Sequence, residues 1–344
     1  MAYDALVLVS FGGPERPEDV LPFLSNVTRG RGIPPERLAE VAEHYQHFGG
    51  VSPINQQCRD LLAAIRADFA ANDLDLPLYW GNRNWHPMLA DTVAQMRDDG
   101  VRRALAFVTS AYGGYSSCRQ YQDDIAAARS AVGAGAPVID KLRQFHDHPG
   151  FVAPHAEAVR SALATLDPAR WATTRLVFTA HSIPTSMAAS AGPEGGRYEA
   201  QLHETARLVA AAAAPDLPYD LVWQSRSGPP QMPWLEPDIN DHLAALATDG
   251  VTGVVVSPIG FVSDHLEVVW DLDTEAAATA KQLGLEFARA ATPGTDPRFV
   301  AMVRELVVER LDPPGTELRH RLGTLPVWDT CPANCCTAPA RTRG

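Results

Sequence analysis

The sequence predicts an α/β protein built from two Rossmann-like halves, each a parallel sheet covered by helices. Three observations carry this. Short apolar, β-rich runs alternate with helix-period segments along the 344 residues, the pattern of a parallel sheet covered on both faces. Each run ends in a turn rich in Gly, Ser or Pro. The strand exits of the two halves also match: Ser10-Phe-Gly-Gly-Pro14 with Ala180-His-Ser-Ile-Pro184, and Trp80-Gly-Asn-Arg-Asn-Trp85 with Gln224-Ser-Arg-Ser-Gly228. An internal duplication follows.

In the first half the apolar runs 5–10 (ALVLVS), 77–80 (PLYW) and 104–110 (ALAFVTS) read as strands, and 88–99 reads as a helix. Between the first two strands, 17–70 is an insertion with at least two helices around Asn26-Val-Thr-Arg-Gly-Arg-Gly32. An insertion at a strand exit usually walls the active site. The Gly12-Gly13 turn is not a GxGxxG fingerprint, so it begins no dinucleotide site. In the second half, strands are expected at 175–180, 219–224 (YDLVWQ) and 253–259, with helices at 151–166, 197–214, 238–248 and 296–311. The division is 1–150, 151–315 and a Pro-rich, Cys-bearing tail, 316–344, that is not a domain.

An apolar fraction of 46% with 20% charged residues is that of a globular enzyme. The net charge of −12 excludes nucleic acid as a partner, since phosphate binding needs a basic face. The same field repels an anionic substrate, which would need local arginines. No apolar run is long enough to span a bilayer, so no stable membrane association is expected. Met1–Ser10 lacks a basic n-region and reads as a first strand. A cytoplasmic monomer is the expectation.

Two strands of the second half run into residues that can bind a metal. Arg175-Leu-Val-Phe-Thr-Ala180 leads to His181, and Gly253-Val-Val-Val-Ser-Pro-Ile-Gly260 leads to Glu267. Open α/β sheets place ligands outside the carboxyl ends of their strands, so an imidazole and a carboxylate should face one cleft. Ser263 and Asp264 are good N-cap residues, and 264–283 reads as one helix. Glu267, Asp271 and Glu275 then stack along one face, about 6 Å apart in rise. Such like-charge spacing destabilises a helix by a few tenths of a kcal/mol per pair. The helix dipole accounts for the first turn only. A solvated face remains open for the row alone; with His181 beside it, a conduit for a hard or borderline cation is the better reading.

HSIP (181–184), SPIGFVSDHLEVVWDLD (257–273), QSRSGPPQMPWLEP (224–237) and GGVSPIN (49–55) resemble ferrochelatase, the enzyme that inserts ferrous iron into a porphyrin. The likeness covers about residues 3–311 and is strongest to the actinobacterial branch, which acts in the coproporphyrin-dependent route to haem. It implies two chelatase-type, Rossmann-like domains with the porphyrin held between them. It further implies His181 and Glu267 as the iron-site pair, with His181 also a proton acceptor, and Asp271 and Glu275 as a metal or proton path. Ser52 and Tyr121 match positions that hydrogen-bond porphyrin carboxylates. Arg29 or Arg31 could pair with propionates, though an ordinary polar loop explains Arg31 nearly as well. Phe11 stands where many relatives have Tyr or Met; it has no lone pair, which excludes an axial ligand there. The chemistry agrees, since Fe²⁺ accepts imidazole and carboxylate ligands and His takes protons near neutral pH.

The tail supplies Cys331, Cys335 and Cys336, one short of a four-thiolate set. Cys118 matches an internal cysteine that completes a [2Fe–2S] cluster in relatives with such a tail, so the resemblance implies that cofactor. A four-cysteine zinc site is the alternative. Cys58 reads as a small buried hydrophobe. The substrates implied are Fe²⁺ and coproporphyrin III. Protoporphyrin IX as substrate, a cobalt or nickel chelatase, and a haem- or cluster-binding sensor without turnover are the alternatives.

Overall fold

The apolar runs assemble into two parallel sheets of four strands each. The computed structural model describes residues 3–30, 33–228, 231–312, 319–332 and 334–337. In the first sheet β1 (Ala5–Ser10), β2 (Leu78–Asn82), β3 (Arg103–Val108) and β4 (Val138–Lys141) lie in the order β2-β1-β3-β4. In the second, β5 (Thr174–His181), β6 (Tyr219–Gln224), β7 (Gly253–Ser257) and β8 (Glu286–Arg289) lie in the order β6-β5-β7-β8. The likeness of the strand exits is therefore a likeness of topology. The central strands β1 and β7 are buried at every residue, which is why they read as unbroken apolar runs. Leu8 pairs with Trp80 on one side and Phe107 on the other; Phe178 pairs with Leu221 and Ser257. The edge strands β4 and β8 escaped the sequence reading: each has four residues, and VIDK and EFAR carry charges that only an edge tolerates.

The insertion forms three helices, α1 (Val20–Val27), α2 (Pro35–His47) and α3 (Ile54–Ala71). The others are α4 (Leu89–Asp98), α5 (Gln120–Val132), α6 (Pro149–Leu163), α7 (Thr185–Ala189), α8 (Arg197–Ala213) and α9 (Ile239–Thr248). One apolar core runs through both halves, with Leu8, Phe107, Phe151, Leu176, Phe178 and Phe299 among its members. The outer sheet faces close separately, under α4 and α5 in one half and under α9 in the other. The last helix, α12 (Pro297–Leu311), packs on both α3 and α6. Arg304 Nε donates to Asp68 Oδ2 of α3 at 2.8 Å, and Arg143 grips Glu309 of α12 through two bonds of 2.7 and 2.8 Å. The range 151–315 thus contains a helix that covers the first half as well.

The expected helix over 264–283 is present in altered form. It begins as α10 (Leu266–Val268), winds as a π-helix over Val269–Ala276, and finishes as α11 (Ala277–Leu283). Neither Ser263 nor Asp264 caps it. His265 is the N-cap residue and makes no side-chain cap bond. Asp264 is taken by Arg289 at the end of β8, through bonds of 3.2 and 3.1 Å. A bidentate guanidinium outcompetes one backbone N–H for the carboxylate.

Candidate active site

β5 carries His181 as its last residue, in register with Gln224 of β6. Its Nδ1 lies 2.5 Å from the Ser182 carbonyl oxygen. A carbonyl only accepts, so Nδ1 carries the proton and Nε2 is left as the basic nitrogen. That Nε2 faces Glu267 Oε2 at 3.8 Å, with the side chains 36% and 41% exposed. The gap is too long for a hydrogen bond. Two ligand atoms about 2.1 Å from one ion stand roughly 3–4 Å apart, so the pair is spaced to share a cation.

Glu267 is partly exposed, yet protein surrounds it closely, and this burial raises its pKa to about 7. Burial raises Asp271 to about 7 as well, helped by the negative charges of Glu267 and Glu275. Gln224 Nε2 donates to Asp271 Oδ2 at 3.2 Å, and the Ser225 hydroxyl donates to the same oxygen. Ser225 holds φ +63°, a left-handed conformation costly for a residue with a Cβ. Glu275 is exposed. Asp271 therefore lies within reach of both neighbouring carboxylates, and the row ends at the surface despite the π winding.

Several residues of the site escaped the sequence reading. The His44 ring lies flat on Trp270, and His47 and Phe48 meet Trp270 edge-on at 5.6 and 6.2 Å. Tyr45 sits near enough to Glu267 that burial, and then the carboxylate charge, raise its phenol pKa. The aromatic and His-rich string His44-Tyr-Gln-His-Phe48 was the available signal. His265 approaches His181: burial, and then the His181 charge, push its pKa down to about 3.

The family model described as ferrochelatase matches residues 3–311 of this chain. The coproporphyrin III ferrochelatase of Nocardia farcinica is 58% identical over 350 residues, covering 99% of this chain and 98% of its own length. The chain belongs to the ferrochelatase family. The coproporphyrin III ferrochelatase of Mycolicibacterium smegmatis is 60% identical, over 90% of this chain and 91% of its own. The ferrochelatase of Rhodopirellula baltica is 52% identical, over 97% and 93%. The solved structure of SirB from Bacillus subtilis with Fe³⁺ matches with a TM-score of 0.57 at 11% identity, covering 94% of this chain and all of that one; this likeness speaks for the fold alone.

On this ferrochelatase chain Phe11 follows β1 and meets Phe23 of α1 at 6.2 Å. Ser52 is buried against the same exit loop: its N–H donates to Pro14 O at 2.9 Å, and a Cβ on Gly13 would come within 2.7 Å of its own. Tyr121 is buried in the core, its hydroxyl 3.4 Å from Thr109 Oγ1. Arg83 lies over both rings, 4.5 Å from Tyr121 and 5.8 Å from Phe11, and pairs with Asp124. Arg29 instead lines a cavity of about 400 Å³ with Pro22, Asn26, Trp85 and His86, which neither His181 nor Glu267 lines. Arg31 lies outside the described residues. No helix among the described residues is long and apolar enough to cross a membrane.

The structure brings four cysteines together. Cys335 Sγ is 3.5 Å from Cys336 Sγ, and Cys331 reaches both Cys118 and Cys335. Gln144 Nε2 donates to Cys118 at 3.5 Å and Gly192 N to Cys336 at 3.1 Å. Cys58 stands apart in the main core, its pKa raised to about 11 by burial. Two His–carboxylate groups beside the tail have other work. His148 Nδ1 accepts from Gly150 N at the start of α6, so its Nε2 carries the proton and turns to Glu305. Asp147 and Glu204 receive Arg321 and Thr324 of the tail at 2.8 and 2.7 Å.

Proposed function

We propose that this chain inserts Fe²⁺ into coproporphyrin III, giving Fe-coproporphyrin III and releasing two protons. The observation that carries the reading is the His181–Glu267 pair, 3.8 Å apart at the exit of β5. Insertion requires the ion to exchange its ligands for ring nitrogens and two pyrrole N–H bonds to break. Glu267 and Nε2 of His181 hold the incoming ion; once it has passed to the ring nitrogens, the freed Nε2, left unprotonated by the bond at Nδ1, accepts one pyrrole proton and the freed Glu267 carboxylate the other. Asp271 and Glu275 form the route by which iron arrives and protons leave. Carboxyls with pKa values near 7 exchange protons readily at neutral pH.

Phe11, Ser52, Tyr121, Arg29 and Arg31 are read as the porphyrin side of the cleft. Tyr121 serves by holding Arg83 and the β1 exit in place, since its hydroxyl is turned inward. The names of the relatives support the four-propionate substrate, as does the polar, cationic segment Ser25–Arg37. Each well-made charged hydrogen bond from an arginine offsets the repulsion of an acidic protein by roughly 1–3 kcal/mol. The deciding assay supplies Fe²⁺ anaerobically with coproporphyrin III or protoporphyrin IX. Coproporphyrin III is the preferred substrate, its insertion weakens with salt, and Arg29→Ala raises its KM. Equal or better kcat/KM with protoporphyrin IX in dilute detergent would overturn the choice.

We also infer a resident [2Fe–2S] cluster on Cys118, Cys331, Cys335 and Cys336. The donor set fits: four gathered sulfurs, N–H donors aimed at two of them, and nearby cations. When bound, such a centre supplies one-electron chemistry and ties the tail to the β3–α5 loop.

A further inference from the structure

Arg197, the first residue of α8, is only 8% exposed, and no carboxylate among the described residues pairs with it. Its partners are neutral. Nε donates to Gln144 Oε1 at 3.2 Å, a terminal nitrogen donates to the Pro326 carbonyl, and the Trp328 ring lies 4.1 Å from Cζ. The space for it is shaped by two glycines. A Cβ on Gly113 would come within 2.9 Å of the Arg197 Cδ, and one on Gly192, at φ +83°, within 2.7 Å of its Cβ.

A buried cation costs several kcal/mol unless an anion answers it. Among the described residues the sulfurs answer it: Cys118, Cys331, Cys335 and Cys336 lie close enough for their charge to act on Arg197. Gln144 links the two, accepting from Arg197 and from Gln201 (2.6 Å) while donating to Cys118.

We propose that Arg197 is the counter-cation of an anionic four-thiolate centre and the latch that closes the tail over it. This rests on the reading that the four cysteines hold a [2Fe–2S] cluster. Such a centre is dianionic when oxidised and trianionic when reduced, so a desolvated guanidinium beside it favours the reduced form. The same guanidinium holds Pro326 and Trp328, which makes filling of the centre and docking of the tail linked events.

The test uses the full chain purified anaerobically, with Arg197→Gln and Arg197→Lys. Readouts are the midpoint potential, the rate of bleaching in chelator, and trypsin cleavage at Arg319 and Arg321 before and after the centre is stripped. The wild type resists cleavage until stripped. Arg197→Gln shows a more negative potential and bleaches about tenfold faster or more, whereas Arg197→Lys recovers most of the potential but leaves the tail open. An Arg197→Gln protein with unchanged potential and bleaching overturns the proposal. A colourless, zinc-loaded wild type removes the cluster reading alone. The Arg197 claim is then decided by chelator stripping of zinc, faster in Arg197→Gln if it holds and equal if it fails. Should Arg197→Gln not fold, Trp328→Leu decides: a protease-sensitive tail in loaded protein supports the latch, and a resistant one overturns it.

Discussion

His44 of α2 stacks face to face on Trp270, their centroids 4.0 Å apart and their planes 8° from parallel. The contact joins the insertion of the first half to the π segment that carries Asp271 and Glu275 of the second. Where α2 stands is thereby tied to the segment that bears Asp271. An aromatic pair of this kind contributes about 0.5–1.5 kcal/mol beyond its buried area.

Trp270→Ala should therefore free α2 without unfolding the protein. Amide exchange in residues 35–47 should quicken about fivefold, the equivalent of about 1 kcal/mol, with far-UV circular dichroism unchanged and Trp270→Phe close to wild type. Unaltered exchange would show that other contacts hold α2.

His181→Ala should lower ferrous insertion by about 10²–10⁴-fold and leave the melting temperature nearly unchanged, because a half-exposed residue at a strand exit packs little. Near-normal turnover in this variant would sink the site assignment.

The pH dependence follows from the raised carboxyls. Below about 7, Glu267 is protonated and a poor metal ligand, so kcat/KM should climb as pH rises through that value. Repulsion between two carboxylates is mutual, so Asp271→Asn should move this limb to lower pH. A limb that stays in place in Asp271→Asn would mean that the pair does not interact.

The same groups affect stability in the opposite sense. Their folded pKa values exceed those of the unfolded chain, so the native state binds more protons between the two. Their contribution is full below the unfolded pKa, near 4–4.5, and is lost as pH rises to about 7. Glu267→Gln and Asp271→Asn should accordingly raise the melting temperature at pH 8 and change it little at pH 4.5, while impairing insertion. Equal effects at both pH values would place the origin elsewhere.

The cysteine reading predicts a red-brown protein with the reduced-state EPR of a [2Fe–2S] centre. Changing Cys118, Cys331, Cys335 or Cys336 to Ser should remove the colour, and Cys58→Ser should not. A colourless protein holding one equivalent of zinc would favour the zinc alternative.

Where burial on both faces forces an unbroken apolar run, as in β1 and β7, the strand was legible from residues alone. β4 and β8 were not, because an edge strand of four residues needs no such run. His181 and Glu267 were legible because each follows such a strand closely. The π winding was not: VWDLDTEA satisfies an α-helical pattern equally well, and its winding is decided by what packs against it. The capping role expected of Asp264 failed for a non-local reason, since Arg289 is 25 residues away in sequence. Trp270 and His44 went unnoticed because each looks like an ordinary surface residue until the two helices meet. Cys118 and the tail are over two hundred residues apart, and no spacing rule joins them; a family likeness did.

The return of α12 to pack on α3 bears on how this chain comes off the ribosome. Phe69 and Leu61 of α3 belong to the same core as Phe299, Val303 and Leu306 of α12. α3 is thus synthesised more than two hundred residues before its covering helix α12 appears. At about 5–20 residues per second, that is on the order of 10–40 s in which α3 presents an apolar flank to the cell. A chain halted before Pro297 keeps that flank permanently bare, so nascent and truncated forms are natural clients for chaperones, even though every strand of both sheets has already been made.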